Sequence, residues 1–410
     1  MLGRDVWDAD TVGTRLRVLR KWRGLTLVEL AGLSGLSPSF LSMAERGQRS
    51  LDRRSHLAAL ASALCVSETD LVGGPHLSSD PLQANPHEAI PRLRVALQTN
   101  TLTSPAVERA RPLDELVAEM ARIEPYHQAC DYVRVGVGLP DLLDELHLHA
   151  AAPIDEAAYR LALSTLVEAC TAAVFTAKDL GYQDLAHLAA VRAEEAAAIL
   201  DDPVRQGQVD FLRIHTMPRA GSWSRTLNMA ERSAARLQPY ARDKRGHEVL
   251  GMLTLTASLA AAVVHDGVNA QHWMDEAVDL ADSLPDTPDA NWMSFSTTNA
   301  RVWDVAVSVE RGVSGGAVLE LARAVDEGKL ADKPGRHAAF LADVGRGLAR
   351  EPKHRDTAIG WLRRAEDTAP QWIRNSPPVR ETVAVMLQQA TAQAGGRELR
   401  GMAARMSVPH

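Results

Sequence analysis

The chain has 410 residues, 46% apolar and 24% charged, a composition that excludes global disorder, collagen and disulfide scaffolds. Its three cysteines, Cys65, Cys130 and Cys170, form no CxxC pair and imply no disulfide framework. The net charge of −7 conceals an asymmetry, because residues 13–54 carry nine basic against three acidic side chains, a local field that attracts a polyanion.

The first residues, MLGRDVWDAD, contain no apolar core of signal-peptide length, and the longest uncharged stretch, Val249 to Val264, has only 16 residues. The expectation is a cytoplasmic chain without membrane insertion. From residue 11 the apolar spacing divides the sequence into short helices. Val12, Leu16 and Leu19 share one face of a first helix, which Gly24 ends. Thr26 caps a second, holding Leu27, Leu30 and Ala31. Leu33 to Leu36 form a break, after which Ser37 as N-cap and Pro38 at the first helical position open a third helix that stops at Gly47. Leu57, Leu60, Ala61 and Leu64 mark a fourth helix, and Ser67, Leu71 and Val72 a fifth.

Residues 11–73 therefore read as a five-helix helix-turn-helix domain, and three segments give it a family likeness. The run from Arg15 to Thr26 (RLRVLRKWRGLT), the pair Leu30 and Ala31, and the run from Ser37 to Arg49 (SPSFLSMAERGQR) resemble the lambda-repressor and Cro class, the xenobiotic-response-element type. The resemblance implies a buried ion pair between Arg20 and Glu45, joining the first and third helices. It also implies that the third helix enters the major groove of double-stranded DNA. Ser39, Ser42 and Met43 then match the base-reading positions, a modest set since serine accommodates several bases and Met43 offers only apolar contact. Thr26, Ser37, Phe40, Arg46 and Arg49 are candidates for phosphate contact through hydroxyl, helix N-terminal amide and guanidinium groups. Members of the class usually dimerise on half-sites about 34 Å apart, so a homodimer on an inverted-repeat operator is expected.

Residues 74–91 hold Pro75, Pro81, Pro86 and Pro91 with Gly74, Ser78 and Ser79, a composition that stops helices and exposes backbone; the interdomain linker is expected there. Beyond it, residues 92–410 are alanine-rich with few aromatics and no run of alternating β-branched residues, so the fold class is all-α. Four segments, AEEAAAILDDP, AERSAARLQP, DEAVDLADSLP and LRRAEDTAP, each run apolar at helical spacing and stop at Pro203, Pro239, Pro285 and Pro370, with a weaker stop at Pro334. The intervals suit two antiparallel helices and their turns, and they resemble a tetratricopeptide-like array.

No catalytic constellation stands out, and no cofactor or metal is expected. Gly136 and Gly138 in VGVGLPD lack the rest of a dinucleotide fingerprint, His127 with Cys130 has no second ligand pair, and His147 and His149 are isolated. Polar residues that interrupt apolar helices are the candidates for an effector site: Thr298, Asn299 and Trp303 in residues 291–312, Arg336 and Asp343 seven residues apart on a later helix, and Arg192 and Arg213. The layout resembles Gram-positive peptide-sensing quorum regulators and an actinobacterial set, the latter in FSTTN, RHAAFLAD and SPPVRETVAVML. These resemblances imply a transcription regulator whose repeat domain dimerises and senses a peptide or small molecule. A DNA-anchored protein-interaction scaffold without effector is the alternative.

Overall fold

The computed structural model describes residues 11–76, 81–217, 222–287, 292–390 and 396–408. Five helices open it: α1 (Val12–Trp22), α2 (Leu27–Ser34), α3 (Pro38–Glu45), α4 (Arg54–Leu64) and α5 (Glu68–Val72). Their ends follow local chemistry. Thr11, Thr26, Ser37 and Ser67 accept backbone N–H groups of the first turns of α1, α2, α3 and α5, satisfying donors that a helix leaves orphaned. Leu16, Leu30, Leu41, Leu60 and Leu64 are fully buried and form a core of this domain's own. Gly13 is there for approach: a Cβ on it would lie 2.0 Å from the Ala44 carbonyl oxygen, so α1 and α3 cross at a distance no side chain permits.

Helix α4 departs from the pattern. Arg53 is at its N-cap and offers no side-chain hydrogen bond, which leaves the first-turn amides to be satisfied from elsewhere.

The expected linker carries more structure than its prolines suggest. A short helix α6 (Pro81–Ala84) and a 3-10 turn (Asn85–His87) lead into α7 (Ile90–Thr99), because a proline within the first turn replaces an amide that would have no partner anyway. Residues 77–80 of that segment lie outside the described residues.

The remainder is an array of helical hairpins: α8 (Leu113–Gln128) with α9 (Tyr132–Ala151), α10 (Glu156–Asp179) with α11 (Gln183–Leu200), α12 (Pro203–Thr216) with α13 (Trp223–Leu237), α14 (Lys244–Val263) with α15 (Gly267–Asp282), α16 (Thr297–Arg311) with α17 (Gly316–Arg323), and α18 (Pro334–Ala349) with α19 (Arg355–Thr368). Helices α20 (Pro370–Ile373), α21 (Pro377–Ala390) and α22 (Arg397–Arg405) close it. No strand occurs among the described residues; Thr101 and Ser104 make one isolated bridge.

The stops read from the sequence fall between hairpins. Pro203, Pro334 and Pro370 each open the helix that follows, at its N-terminal position, so they separate hairpins by starting one as much as by ending another. Small side chains set the packing: Ala169, Ala172 and Ala173 of α10 are fully buried, as are Ala186, Ala189, Ala190 and Ala193 of α11, which lets the two backbones approach closely. Helices α10 and α14 are long and apolar enough to cross a membrane by length and composition. Here they are central array helices, with 72% and 89% of their most apolar windows buried. Two apolar cores result, one from α7 to α16 and one from α16 to α22.

Candidate nucleic-acid interface and the adjoining cavity

The turn between α2 and α3 is made by Gly35 at φ 69°, a left-handed conformation that favours glycine. Ser37 then starts α3, and Leu41 and Ala44 face the core while Ser39 is exposed and Ser42 and Met43 are half-buried. The three expected base-reading residues thus share the free side of the helix. Arg46 and Arg49, just beyond it, are exposed.

Three candidates for phosphate contact, Thr26, Ser37 and Phe40, are engaged locally. Thr26 forms a capping box with Glu29: its amide donates to Glu29 Oε2 at 2.7 Å, its hydroxyl donates to the same oxygen at 2.8 Å, and it accepts from the Glu29 amide at 3.2 Å. The Phe40 amide donates to Ser37 Oγ at 3.2 Å, and its ring stands edge-on to His56 with centroids 5.0 Å apart, against the domain core. Phe40 is therefore a packing residue whose amide is occupied by the cap. The Arg20 and Glu45 pair is bidentate, with Nε to Oε1 at 2.6 Å and Nη2 to Oε2 at 2.8 Å, and Arg20 also donates to the Leu25 carbonyl. Both side chains are largely buried, so the pair ties α1, the α1–α2 turn and α3 together.

The domain is held to the hairpin array by buried carboxylates that the sequence reading did not single out. Glu310, at the end of α16, accepts the Arg54 amide at 3.1 Å and the Ser55 amide at 2.9 Å. It supplies the N-cap that α4 lacks, from 255 residues away. Burial would raise the Glu310 carboxyl, but Arg54 and those two amides hold it below its ordinary range. Glu381 of α21 accepts the amides of Val12 at 3.0 Å and Leu51 at 3.3 Å. Burial dominates there, pushing its pKa up to about 7 despite the two amides, with Asp52 adding to the rise.

Asp52 works in the opposite direction, from the small domain into the array. Its Oδ2 accepts Arg346 Nη2 at 3.1 Å and Arg350 Nη2 at 2.9 Å, and its carbonyl accepts Arg346 at 2.7 Å. Burial raises its pKa, but Arg350 and Arg346 outweigh this and bring it to about 2. Arg346 is also paired with Asp343 at 2.6 Å. Trp223 Nε1 donates to Glu68 Oε1 at 3.0 Å, and Trp223, Ala260 and Val263 form a small apolar cluster against Ala58 of α4. Two signals for this dock stand in the sequence: a helix start without a capping side chain at Arg53, and carboxylates at Glu310 and Glu381 inside apolar helices.

Behind the dock lies a cavity of about 290 Å³. Trp303, Arg336 and Asp343 line it, together with Arg54 and Arg346 from the dock and Trp223, Phe175 and Phe211 among its apolar walls. The other expected effector residues lie outside that lining. Thr298 donates through its amide and hydroxyl to Asp286 at 3.1 and 3.0 Å. Asn299 is fully enclosed, its Nδ2 reaching the Met293 carbonyl at 3.4 Å and Met252 Sδ at 3.7 Å. It steadies a turn in which Met293 and Ser294 have φ of 50° and 60° and which does line the cavity. Arg192 donates to the Leu97 carbonyl and pairs with Glu195, and Arg213 pairs with Glu194. Gly136 and Gly138 lie inside α9. Among the described residues no cluster of three or more His, Cys, Asp or Glu is placed to hold a metal.

An exposed recognition helix on a capped tri-helical frame is the architecture of helix-turn-helix DNA-binding regulators. Residues 11–72 match the family described as the helix-turn-helix domain. No curated protein and no solved structure matches the chain. The chain thus carries the domain of a DNA-binding regulator at its N-terminal end, followed by the hairpin array.

Proposed function

We propose that the protein is a cytoplasmic, homodimeric transcription regulator that binds an inverted-repeat operator and whose tetratricopeptide-like array senses a small-molecule effector without being an enzyme or holding a cofactor. Ser39, Ser42 and Met43 read bases, and Ser37, Arg46 and Arg49 anchor phosphates. The carrying observation is the shared wall: Arg54 and Arg346 line the cavity and also contact, or belong to, the DNA-binding domain's dock. A ligand that moves either side chain alters the dock and hence the freedom of the recognition helix. The cavity's volume, about 290 Å³, suits a small molecule. The same cavity favours sensing over a passive scaffold.

The test is operator selection from a randomised duplex library by the full chain, followed by light scattering of the complex. Two chains on a palindromic site are expected. One chain per specific site removes the dimer, and no enrichment of any sequence removes the regulator.

A further inference from the structure

The cavity wall carries five cationic side chains, Arg54, Lys178, Lys333, Arg336 and Arg346, against two carboxylates, Asp179 and Asp343. Both carboxylates are committed. Asp343 holds Arg346 at 2.6 Å, and Asp179 accepts the Tyr132 hydroxyl at 2.6 Å and pairs with Lys178. Arg54 is matched by Glu310 at 3.5 Å. Arg336 has neither an ion pair nor a side-chain hydrogen bond among the described residues, and its Nε is buried without a partner.

Its surroundings make that costly. The guanidinium carbon lies 5.8 Å from the Trp303 ring centroid, and Trp303 Nε1 is itself buried without a partner. Arg336 is half-buried where it faces the cavity; protein surrounds the rest of it, and desolvation lowers its pKa to about 10 against the raising effects of Cys130 and Asp343. A cation in such a place is stabilised by an oxyanion that meets its planar fork and leaves the ring face for apolar contact.

We propose that the cavity binds a small organic anion, its carboxylate paired with Arg336 and its apolar body laid against Trp303 and the aromatic wall. This inference deepens the sensing role proposed above and rests on it only for its consequence, not for the site. Arg336 anchors the oxyanion, and Lys333, also without an ion pair among the described residues, adds to the positive field.

The experiment is isothermal titration of the full chain with matched acids and alcohols: indole-3-acetate against indole-3-ethanol, and octanoate against octanol. In at least one pair the acid is expected to bind ten-fold or more tighter than the alcohol. Arg336→Leu is expected to bring the acid to the alcohol's level, leave the alcohol unchanged and keep the thermal transition, since it deletes a buried charge that has no partner. Equal affinities within both pairs, a preference that survives Arg336→Leu, or no binding by any of the four at millimolar concentration overturns the proposal. Should Arg336→Leu fail to fold, the acid and alcohol comparison on the unaltered chain decides alone. An acid that binds but leaves operator affinity unchanged removes the sensing role and keeps the site, so the two readings fail separately.

Discussion

Replacing Asp52 by asparagine tests whether the two parts of the chain are held together by charge. Asp52 is 3% exposed and Arg346 is equally enclosed, so the substitution removes the anion from between two guanidinium groups while keeping its shape. Arg346 retains Asp343, whereas Arg350 is left with the Val309 carbonyl at 2.6 Å. Breaking one side of a buried pair costs about 3 to 5 kcal/mol. Because this pair bridges the domain and the array, the cost falls on docking, and the undocked population rises by roughly two to four orders of magnitude. Hydrogen exchange resolves the event at single amides, because Val12, Leu51, Arg54 and Ser55 donate across the dock to Glu381 and Glu310. Their exchange accelerates by that factor in Asp52→Asn. The Leu41 amide, bonded to the Ser37 carbonyl within α3, keeps its rate. Unchanged exchange at the four bridging amides, or equal acceleration at Leu41, refutes the reasoning.

Three further outcomes are expected. Arg20→Ala destabilises the domain by about 3 to 5 kcal/mol, since Glu45 is left buried without its partner; a loss below about 1 kcal/mol in urea unfolding would place the pair with ordinary surface bridges. Met43→Gln changes which bases are selected from a randomised operator library, whereas Arg49→Ala weakens all sequences alike and lowers the salt dependence of binding; the same spectrum of selected sites from Met43→Gln denies it a reading role. Docking also depends on pH through Glu381, whose pKa burial raises from 4.5 to about 7, with Asp52 adding to the rise and the Val12 and Leu51 amides and Arg15 opposing it. A raised acid favours the docked state at low pH. Its contribution, on the order of 3 kcal/mol, is therefore lost as pH climbs from about 4.5 to 7 and is flat above. Asp52, lowered from 3.8 to about 2, contributes stability above pH 3.8 that disappears as pH falls through about 2. Exchange at Val12 and Leu51 should quicken between pH 5 and 7 beyond the intrinsic base-catalysed rate, and Glu381→Gln should abolish that excess.

Much of the fold was legible along the chain because its signals are local. An N-cap, a glycine at positive φ and a proline within the first turn act within a few residues, so α1, α2, α3 and α5 and the boundaries at Pro203, Pro334 and Pro370 follow from their neighbours. The resemblance of Arg15 to Arg49 carried the Arg20 and Glu45 pair, and the structure places both as it implied. The polar residues singled out in the array part company in the fold. Trp303, Arg336 and Asp343 converge on one cavity. Asn299 and Thr298, equally polar in the sequence, instead close a turn and bind Asp286.

The junction, by contrast, came from packing across long sequence separations. Nothing near Arg53 says that the cap of α4 comes from Glu310, or that Glu381 caps the start of α1, because the partners are separated by more than 250 residues. A buried carboxylate in an apolar helix announces that it needs donors and leaves open where they are. Short-range spacing was enough to specify a helix-turn-helix domain and a train of hairpins, since helix starts, stops and apolar faces are set within a few residues. Packing decided that the domain is clamped to the array by charges neither part could bury alone, and that, among the described residues, the wall cations Arg336 and Lys333 have no carboxylate partner.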